Sequence, residues 1–393
     1  MNHQCYFIGT GASQAVAPLQ FRALAHELAR RGHTIVLLVD GKRTDVEKHD
    51  ANPATWSWPS RRPTHFRDFA FLFRLIRAFQ PDCLIGNFGS TNVLTVMGWL
   101  MRVRCRLVWY HTVHTQSDLD WRKPAWILSL LRIRKGGVYA LATAIIAVSQ
   151  AARRDVVATF RVREDKVSVF RNALSDPLES KGSCDGSPSE EDRLVVCAGR
   201  FAAIKGQDLL IRAIAALRTP PASLRVEFVG DGPTLQDCMD LATELELDDR
   251  VTFTGWVSHS DAVDRMAHAY ATVVPSHDEA FPFVVIESLA TGTPVVGSDV
   301  GGIAEIIEDR VTGRLFRKGD FQDLAEKLGD LLNDPEARSR MSKNARRRFI
   351  ESFDLKKAVA EQADWLEGYV AARQRDGALP PTTAGTLTTK GAS

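Results

Sequence analysis

The chain has 393 residues, which is too long for one ordinary hydrophobic core and predicts two domains. Hydrophobic residues make up 45% of it and charged residues 25%, so the composition excludes a disordered or fibrous chain and predicts a soluble, globular protein. The formal net charge is +2, but residues 1–180 contain 25 Lys and Arg against 14 Asp and Glu, which leaves +11 there and −9 in the remainder.

The positive charge of the first half predicts an anionic partner, such as a membrane surface or a phosphorylated acceptor. Nucleic acid is not expected, because the sequence has no helix-turn-helix, zinc-finger or aromatic RNA-binding signature. The apolar runs are far shorter than the roughly 20 residues that span a bilayer, and the chain starts in a strand rather than a signal peptide. The six cysteines are scattered, so we predict neither a zinc site nor disulfides and expect a cytoplasmic protein.

The first predicted elements, over residues 4–40, are a strand, a glycine loop, an amphipathic helix and a second strand. Gly9 and Gly11 begin the loop, but Gln14 stands where a dinucleotide-binding fingerprint has its third glycine. Asp40 ends the second strand, at a position where a ribose ligand would lie. Because the fingerprint is incomplete, we do not favour a nicotinamide cofactor.

Residues 55–79 interleave aromatic side chains with arginines, and two interpretations are open. One is a helix that buries all its apolar residues in the domain and exposes a basic face. The other is a lip that rests on anionic lipid headgroups. We favour the buried helix, because the run FAFLFRLIRAF can pack all its apolar side chains inside a domain.

Two histidines follow the predicted strand RLVWY. His111 and His114 therefore lie at the carboxyl end of a parallel strand, where open α/β sheets bind ligands. Asp118 and Asp120 form an Asp-x-Asp pattern that also occurs in metal sites. The pattern is short and common, so we treat it as chance and predict no metal.

Residues 180–192 are rich in serine, glycine and acidic residues, which predicts a linker. After it the alternation of strands and helices begins again. Such alternation in both halves predicts two doubly wound parallel sheets that face each other across a cleft. The end of the chain, 376–393, is rich in Thr, Pro and Gly, and we expect it to be disordered.

Four charged residues of the second half are candidates for a ligand site. Arg200 and Lys205 are five residues apart beyond a strand end, where they are either solvated or positioned to bind an anion. Glu279 lies in a loop and Glu287 inside a helix that opens with Pro282. Their spacing of eight residues allows both carboxylates to line one ligand lengthwise.

Gly301 and Gly302 are predicted to open a helix at Ile303. Such a turn lets a phosphate approach backbone N–H groups and the positive end of a helix dipole. The whole stretch 275–307 closely resembles the donor-site signature of the retaining glycosyltransferases of family 4, which have the GT-B fold. The matching positions are Glu279, Glu287, Gly292, Pro294, Gly301, Gly302 and Glu305.

The resemblance extends from about residue 5 to 372 and is strongest between 195 and 310. Other matching positions are the Gly-Arg-x4-Lys-Gly motif at 199–206, the glycine turn at 229–233, His111, Ser149 and Asn172. Two alanines depart from the family pattern, since Ala173 and Ala280 stand where the family usually has glycine. The methyl group of Ala280 bears on which donor sugar fits.

The resemblance implies two Rossmann-like domains, residues 1–179 on the acceptor side and residues 193–352 for the nucleotide-sugar. It also implies that the last helix, residues 353–373, returns to the first domain. No cofactor is implied, because the nucleotide-sugar is a substrate.

The activity that the resemblance implies is a hexosyltransferase that uses a UDP- or GDP-sugar and retains the anomeric configuration. Arg200 and Lys205 would hold the diphosphate, Glu287 the ribose hydroxyls and Glu279 the hydroxyls of the sugar. His111 would lie beside the donor sugar and the acceptor.

Glycines would bring the backbone close to the donor: Gly11, Gly230, Gly301 and Gly302. His114 is the alternative to His111. The implied acceptor is a glycan or a lipid-linked glycan in bacterial surface polysaccharide, lipopolysaccharide or glycolipid assembly. We expect a cytoplasmic location, with peripheral contact at the inner face of the cell membrane as a hypothesis.

Other functions share some of these features. A sugar-nucleotide epimerase of the same fold would need no acceptor, and a phosphorylase would require inorganic phosphate. A binding module without activity is disfavoured, because both glutamates and both cations are present. A nicotinamide oxidoreductase remains as the last alternative.

Overall fold

A computed structural model of the chain describes residues 3–11, 16–40, 47–114, 124–179 and 193–376. These residues form two compact units. The first holds the described residues up to His111 together with 124–172 and 356–376, and the second holds 112–114, 173–179 and 193–355. The division falls after Asn172, slightly before the predicted domain end at 179. The predicted linker and the predicted tail beyond residue 376 lie outside the described residues.

The first unit is built on a sheet whose described strands are all parallel. The strands are β1 (Cys5–Thr10), β2 (Thr34–Val39), β3 (Ala54–Ser57), β4 (Cys83–Gly86), β5 (Cys105–Tyr110), β6 (Ala144–Ala147) and β7 (Val167–Val169). Their order in the sheet is β3-β2-β1-β4-β5-β6-β7, so the direction of winding reverses between β1 and β4. The strands are almost continuously buried, as expected for a parallel sheet covered on both faces.

Helices cover both faces of this sheet. They are α1 (Val16–Arg30), α2 (Phe66–Phe79), α3 (Thr91–Leu100), α4 (Ala125–Leu141) and α5 (Gln150–Phe160). Helix α2 packs against α3, α3 against α4 and α4 against α5. Helices α2 to α5 lead to β4, β5, β6 and β7, which all lie on the same side of β1 in the sheet, whereas α1 leads to β2 on the other side. Right-handed crossovers therefore place α2 to α5 on one face of the sheet and α1 on the opposite face.

Helix α2 buries only part of its apolar surface. Leu72, Leu75 and Ile76 are buried, but Phe66 is 88% exposed and Phe73 is 41% exposed. The prediction that this helix buries all its apolar residues is therefore wrong. Its apolar stripe is wider than the face that packs on the sheet, so some aromatic side chains remain in solvent.

The second unit is built on another parallel sheet. Its strands are β8 (Arg193–Ala198), β9 (Leu224–Val229), β10 (Val251–Gly255), β11 (Ala271–Val274), β12 (Val295–Ser298) and β13 (Gly313–Phe316). The order is β10-β9-β8-β11-β12-β13, which reverses between β8 and β11. The two sheets confirm the predicted α/β class with two doubly wound units.

The helices of the second unit alternate with its strands. They are α6 (Gln207–Ala215), α7 (Leu235–Glu244), α8 (His259–Ala267), α9 (Phe283–Ala290), α10 (Gly301–Ile306), α11 (Phe321–Leu332) and α12 (Pro335–Ser352). Pro282 stands at the N-cap of α9 rather than at its first position. Helix α10 begins at Gly301 rather than at Ile303 and has only six residues.

The last described helix, α13 (Leu355–Asp376), belongs to the first unit from Lys356 onward. Its residues Ala363, Leu366 and Val370 are fully buried. Arg31, the residue after α1, pairs with Asp364 at 2.6 Å and with Glu367 at 3.0 Å. Apolar burial and ion pairs therefore both attach this helix to the first unit.

No helix in the described part of the chain is long and apolar enough to cross a membrane. The described cysteines are all buried and form no disulfide with one another: Cys5, Cys83, Cys105, Cys197 and Cys238. Cys184 lies outside the described residues.

Candidate active site at the reversal of the second sheet

Three of the predicted donor-site residues lie where the winding of the second sheet reverses. Arg200 and Lys205 follow β8, and Glu279 follows β11. In open α/β sheets, ligands bind in the crevice at the carboxyl ends of the strands on either side of such a reversal. The topology therefore places these side chains at the position where a ligand is expected.

Lys205 and Glu279 form an ion pair, with 2.5 Å between Lys205 Nζ and Glu279 Oε1. The Ser276 hydroxyl donates to the same carboxylate oxygen at 3.0 Å, and the Ser298 hydroxyl donates to the Ser276 carbonyl at 2.5 Å. Glu279 is 5% exposed and both serines are buried. A buried carboxylate is costly unless it is paired and hydrogen-bonded, and these contacts meet that requirement.

Arg200 lies on the exposed side of the loop after β8. Its backbone carbonyl accepts a hydrogen bond from Gln207 Nε2 at 3.0 Å, which ties the loop to the start of α6. The role of Arg200 at the diphosphate stays a prediction.

The loop that carries Glu279 is attached to α10 through its backbone. The Gly302 N–H donates to the Glu279 carbonyl at 2.8 Å, which uses the N–H group that the resemblance assigns to a phosphate. Gly301 has φ +41°, and a Cβ there would lie 2.2 Å from the Glu279 carbonyl oxygen. The two glycines therefore let α10 approach the loop closely and hold Glu279 in place.

Glu287 lies inside α9 and has a partner that the sequence analysis missed. His259 Nε2 lies 2.8 Å from Glu287 Oε1, and 10% of the Glu287 side chain is exposed. The hydrogen bond with Glu287 raises the pKa of His259 above its ordinary value. His259 belongs to no motif recognised in the sequence. Its position in the first turn of α8, which packs on α9, is the only sequence signal that bears on this contact.

Gly230 lies where the ends of β8 and β9 come close together. A Cβ on Gly230 would lie 2.1 Å from the Gly199 carbonyl oxygen. Close by, the Phe201 N–H donates to the Asp231 carbonyl at 2.9 Å. Backbone packing therefore requires glycine at this position, and contact with a nucleotide stays a prediction.

His111 lies at the carboxyl end of β5 in the first unit. Its Nε2 is 2.6 Å from Asn87 Oδ1, and its ring stacks on Phe88 at 5.0 Å between centroids. Burial lowers the pKa of His111 to about 4. The imidazole is therefore neutral near pH 7, with Nε2–H donating to Asn87, and its role beside the donor sugar stays a prediction.

The other predicted residues of the first unit lie near strand ends. The Gly11 carbonyl accepts a hydrogen bond from Arg22 Nη2 at 3.0 Å. His114, which the division of the chain assigns to the second unit, is half-buried. The Ser149 hydroxyl accepts from the Ala152 N–H at 2.9 Å, so this serine caps α5. The choice between His111 and His114 at the donor site stays open.

Two further sequence features concern ligands that we did not favour. Burial raises the pKa of Asp40 to about 6, although the charge of Arg62 opposes the shift. Asp118 and Asp120 lie outside the described residues. Within the described ranges, no group of three or more His, Cys, Asp or Glu side chains is arranged to hold a metal ion. The expectation that no metal is needed stays a prediction.

Comparison with known proteins identifies the family. The model of Glycosyltransferase Family 4 matches residues 20–176, and that of Glycosyl transferases group 1 matches residues 185–348. A D-inositol 3-phosphate glycosyltransferase of Corynebacterium efficiens is 30% identical over 306 residues, which cover 72% of this chain and 71% of that protein. The chain belongs to glycosyltransferase family 4.

This family 4 protein also resembles a D-inositol 3-phosphate glycosyltransferase of Nocardia farcinica, with 32% identity over 271 residues. That match covers 63% of the chain and 59% of the relative, so the chain spans less than two thirds of that relative's length. The crystal structure of HepE from Anabaena in complex with UDP superposes with a TM-score of 0.73 at 20% identity. It covers 93% of this chain and all of HepE, which confirms the predicted GT-B fold.

Proposed function

We propose that the protein is a retaining glycosyltransferase that moves a sugar from a UDP- or GDP-sugar to an acceptor hydroxyl. The observation that carries the proposal is the ion pair of Lys205 and buried Glu279 at the reversal of the second sheet. A cation and a carboxylate held together suit a sugar diphosphate, because the cation would bind the diphosphate and the carboxylate would accept hydrogen bonds from the sugar hydroxyls. The family relationship supports the same activity.

Lys205 keeps two N–H donors beyond the one that Glu279 accepts. When the bond from the anomeric carbon to the phosphate oxygen breaks, negative charge grows on the nucleoside diphosphate. Lys205, with Arg200 from the same loop, would stabilise that charge and so lower the barrier. Glu279 would accept hydrogen bonds from the sugar hydroxyls, and Glu287 would accept them from the ribose hydroxyls.

Retention of configuration without an enzyme nucleophile, which the family likeness implies, requires the acceptor to attack from the side that the leaving group occupies. The new bond joins the acceptor oxygen to the anomeric carbon while the bond between that carbon and the phosphate oxygen breaks. The acceptor proton then passes to the departing phosphate oxygen, which serves as the base. A neutral His111 fits this scheme, because it would orient groups without taking the proton.

The proposed acceptor is a glycan or a lipid-linked glycan in the assembly of a bacterial surface polysaccharide, lipopolysaccharide or glycolipid. The excess of +11 in residues 1–180 supports an anionic acceptor or carrier. We place the protein in the cytoplasm, with contact at the inner face of the cell membrane. UDP is the first nucleotide to test, because HepE was crystallised with it.

The test is thermal stabilisation by UDP-, GDP-, ADP- and nicotinamide nucleotides, with wild type and Lys205→Ala in parallel. A ligand that binds only the folded state at about 100 times its Kd adds about 2.7 kcal/mol to the free energy of unfolding. We expect one nucleoside diphosphate or its sugar to stabilise the wild type and the variant to lose the effect. Stabilisation by none of them, or by a nicotinamide nucleotide alone, would contradict the proposal.

A further inference from the structure

Apolar side chains are exposed on the outer side of one helix layer of the first unit. The layer consists of α2, α3, α4 and α5, which pack side by side over one face of the sheet. We call the exposed set the apolar patch: Phe73, Trp99, Leu100, Trp126, Leu130 and Ile133. Single exposed apolar residues are normal on a protein surface, but a group on three neighbouring helices marks an interaction site.

Helix α4 contributes the largest part of the apolar patch. Trp126, Leu130 and Ile133 are 69%, 60% and 73% exposed. They are four and three residues apart, so they lie on one side of the helix. The opposite side buries Val138 and Tyr139. The helix therefore presents apolar side chains both to the protein and to its surroundings.

The neighbouring helices extend this surface. Trp99 and Leu100, at the end of α3, are 51% and 58% exposed, and Phe73 on α2 is 41% exposed. Helix α3 packs between α2 and α4, so the exposed side chains of α2, α3 and α4 belong to neighbouring helices of one layer.

The charge around the apolar patch has one sign. The exposed charged residues of α2, α3, α4 and the turn after α3 are all arginines: Arg67, Arg74, Arg77, Arg102, Arg104 and Arg134. In these segments, all of which the structure describes, Asp68 is the one acidic residue, and it is buried against the His65 N–H. The surface therefore combines exposed tryptophans and aliphatic side chains with uncompensated positive charge.

We propose that the apolar patch and its arginines dock the first unit on an anionic lipid bilayer. Tryptophan and arginine suit the boundary of a bilayer, because the aromatic ring enters the headgroup region while the guanidinium stays at the phosphates. A helix that lies in the interface needs this composition, with apolar residues on one side and cations beside them. The surface extends well beyond residues 55–79, since α4 supplies its most exposed members.

Docking on lipid depends on the proposed function in one respect only, which is that the acceptor is attached to a lipid. A second copy of the chain is a less suitable occupant, because its own arginines would face those of the first copy. A bilayer of anionic lipids supplies both the apolar interior and the negative charge.

The test is cosedimentation of the full chain with vesicles, without any nucleotide. One set of vesicles contains phosphatidylcholine and phosphatidylglycerol in equal parts, and the other contains phosphatidylcholine alone. We expect binding to the anionic vesicles that weakens as salt is added. Replacing Trp126, Leu130 and Ile133 by Ser should lower the partition coefficient at least about tenfold.

A second variant tests the charges. Replacing Arg74, Arg77 and Arg134 by Gln should lower partitioning about fivefold per arginine at low salt. The controls carry the same numbers of changes in the second unit. In one control, Ser replaces Met239, Trp256 and Val311, and in the other, Gln replaces Arg212, Arg218 and Arg340. Both controls should bind the anionic vesicles as the wild type does.

Several outcomes would overturn the inference. They are absence of binding to anionic vesicles at low salt, equal loss in the control variants, or wild-type binding in both first-unit variants. Concentration-dependent dimers in sedimentation velocity that the serine variant abolishes, without vesicle binding, would identify a second copy as the occupant. Nucleotide stabilisation, measured on the same samples, tests the proposed function separately, so either proposal can fail alone.

Discussion

At the scale of single residues, Lys205 and Glu279 form one ion pair. Lys205→Ala leaves a buried carboxylate without its cation, and Glu279→Gln removes the charge while keeping a group that Ser276 can contact. Loss of a charge-assisted hydrogen bond costs about 1.5–3 kcal/mol. We therefore expect each change to lower the rate of sugar transfer roughly ten- to a hundredfold, with the fold retained.

The double variant of Lys205 and Glu279 separates a joint role from two independent ones. Groups that act together lose little more when both are removed, so the combined loss should be close to the larger single loss. Lys318→Ala, at an exposed lysine of the same unit, is the control. Additive losses, or wild-type turnover in both single variants, would show that the pair does not form the donor site.

His259 predicts a dependence of donor binding on pH. The hydrogen bond with Glu287 raises the folded-state pKa of His259 above its ordinary 6.5. The stabilisation that the His259–Glu287 ion pair provides is therefore complete below pH 6.5 and is lost as the pH rises through the raised pKa of His259. We expect the Kd of the nucleoside diphosphate to increase about fivefold across that window, because a weaker pair holds Glu287 less firmly.

Titration calorimetry of His259→Ala and His259→Gln between pH 6 and pH 9 checks this expectation. The alanine variant should bind more weakly at low pH and show a flat profile. The glutamine variant should recover much of the affinity, because its amide can donate to Glu287, but not the pH dependence. His268→Ala removes a histidine at the end of the same helix that bonds a backbone carbonyl instead, and should behave as the wild type. A pH profile that survives in His259→Ala would assign it to another group.

At the scale of elements, the approach of α10 to the Glu279 loop depends on Gly301. Gly301→Ala would bring a methyl group to 2.2 Å from the Glu279 carbonyl oxygen, in a backbone conformation that alanine disfavours. Gly319 has φ +74° and nothing within 4 Å of its Cβ position, so Gly319→Ala adds only the conformational cost of about 1–2 kcal/mol. We expect Gly301→Ala to destabilise the protein by about 1–3 kcal/mol more and to weaken nucleotide binding.

Urea unfolding and nucleotide titration of the two glycine variants provide the measurement. Equal destabilisation by both changes, with unchanged nucleotide affinity, would mean that the loop accommodates the methyl group. The site would then not depend on how closely α10 approaches it.

The attachment of α13 depends on one arginine of an adjacent pair. Arg31 is 16% exposed and bonds Glu27, Asp364 and Glu367, whereas Arg30 is 73% exposed and bonds Glu27 alone. Arg31→Gln should cost about 2 kcal/mol, between the values for exposed and for buried pairs. Arg30→Gln should cost less than about 0.5 kcal/mol. Thermal unfolding of both variants compares them, and similar losses would show that the ion pairs contribute little to holding α13.

At the scale of the whole molecule, the regular features were predictable from the sequence. Continuous apolar strands that alternate with helical patterns predict two parallel sheets, because each pattern is local. The same alternation places Arg200, Lys205 and Glu279 after strands, and the order of the strands then brings them to one edge. Family likeness supplied the fold name and the roles proposed for these residues, which spacing alone does not define.

The features that sequence did not predict depend on packing between elements. His259 and Glu287 are 28 residues apart, and they meet only because α8 packs against α9. The exposure of Phe66 and Phe73 depends on how much of α2 the neighbouring helices cover, which the helical period does not specify. The helix start at Gly301 instead of Ile303 is a shift of two residues, within the usual variation at helix ends.

The position of α13 has a consequence for the order in which the protein assembles during translation. Almost all described residues of the second unit, 173–179 and 193–355, come from one continuous stretch of chain, so we expect this unit to fold once that stretch has left the ribosome. The first unit is synthesised earlier but lacks Leu366, Val370 and the partners of Arg31 until α13 has emerged. The half of the protein that is made first is therefore completed last, and its apolar surface stays uncovered while the whole second unit is being made.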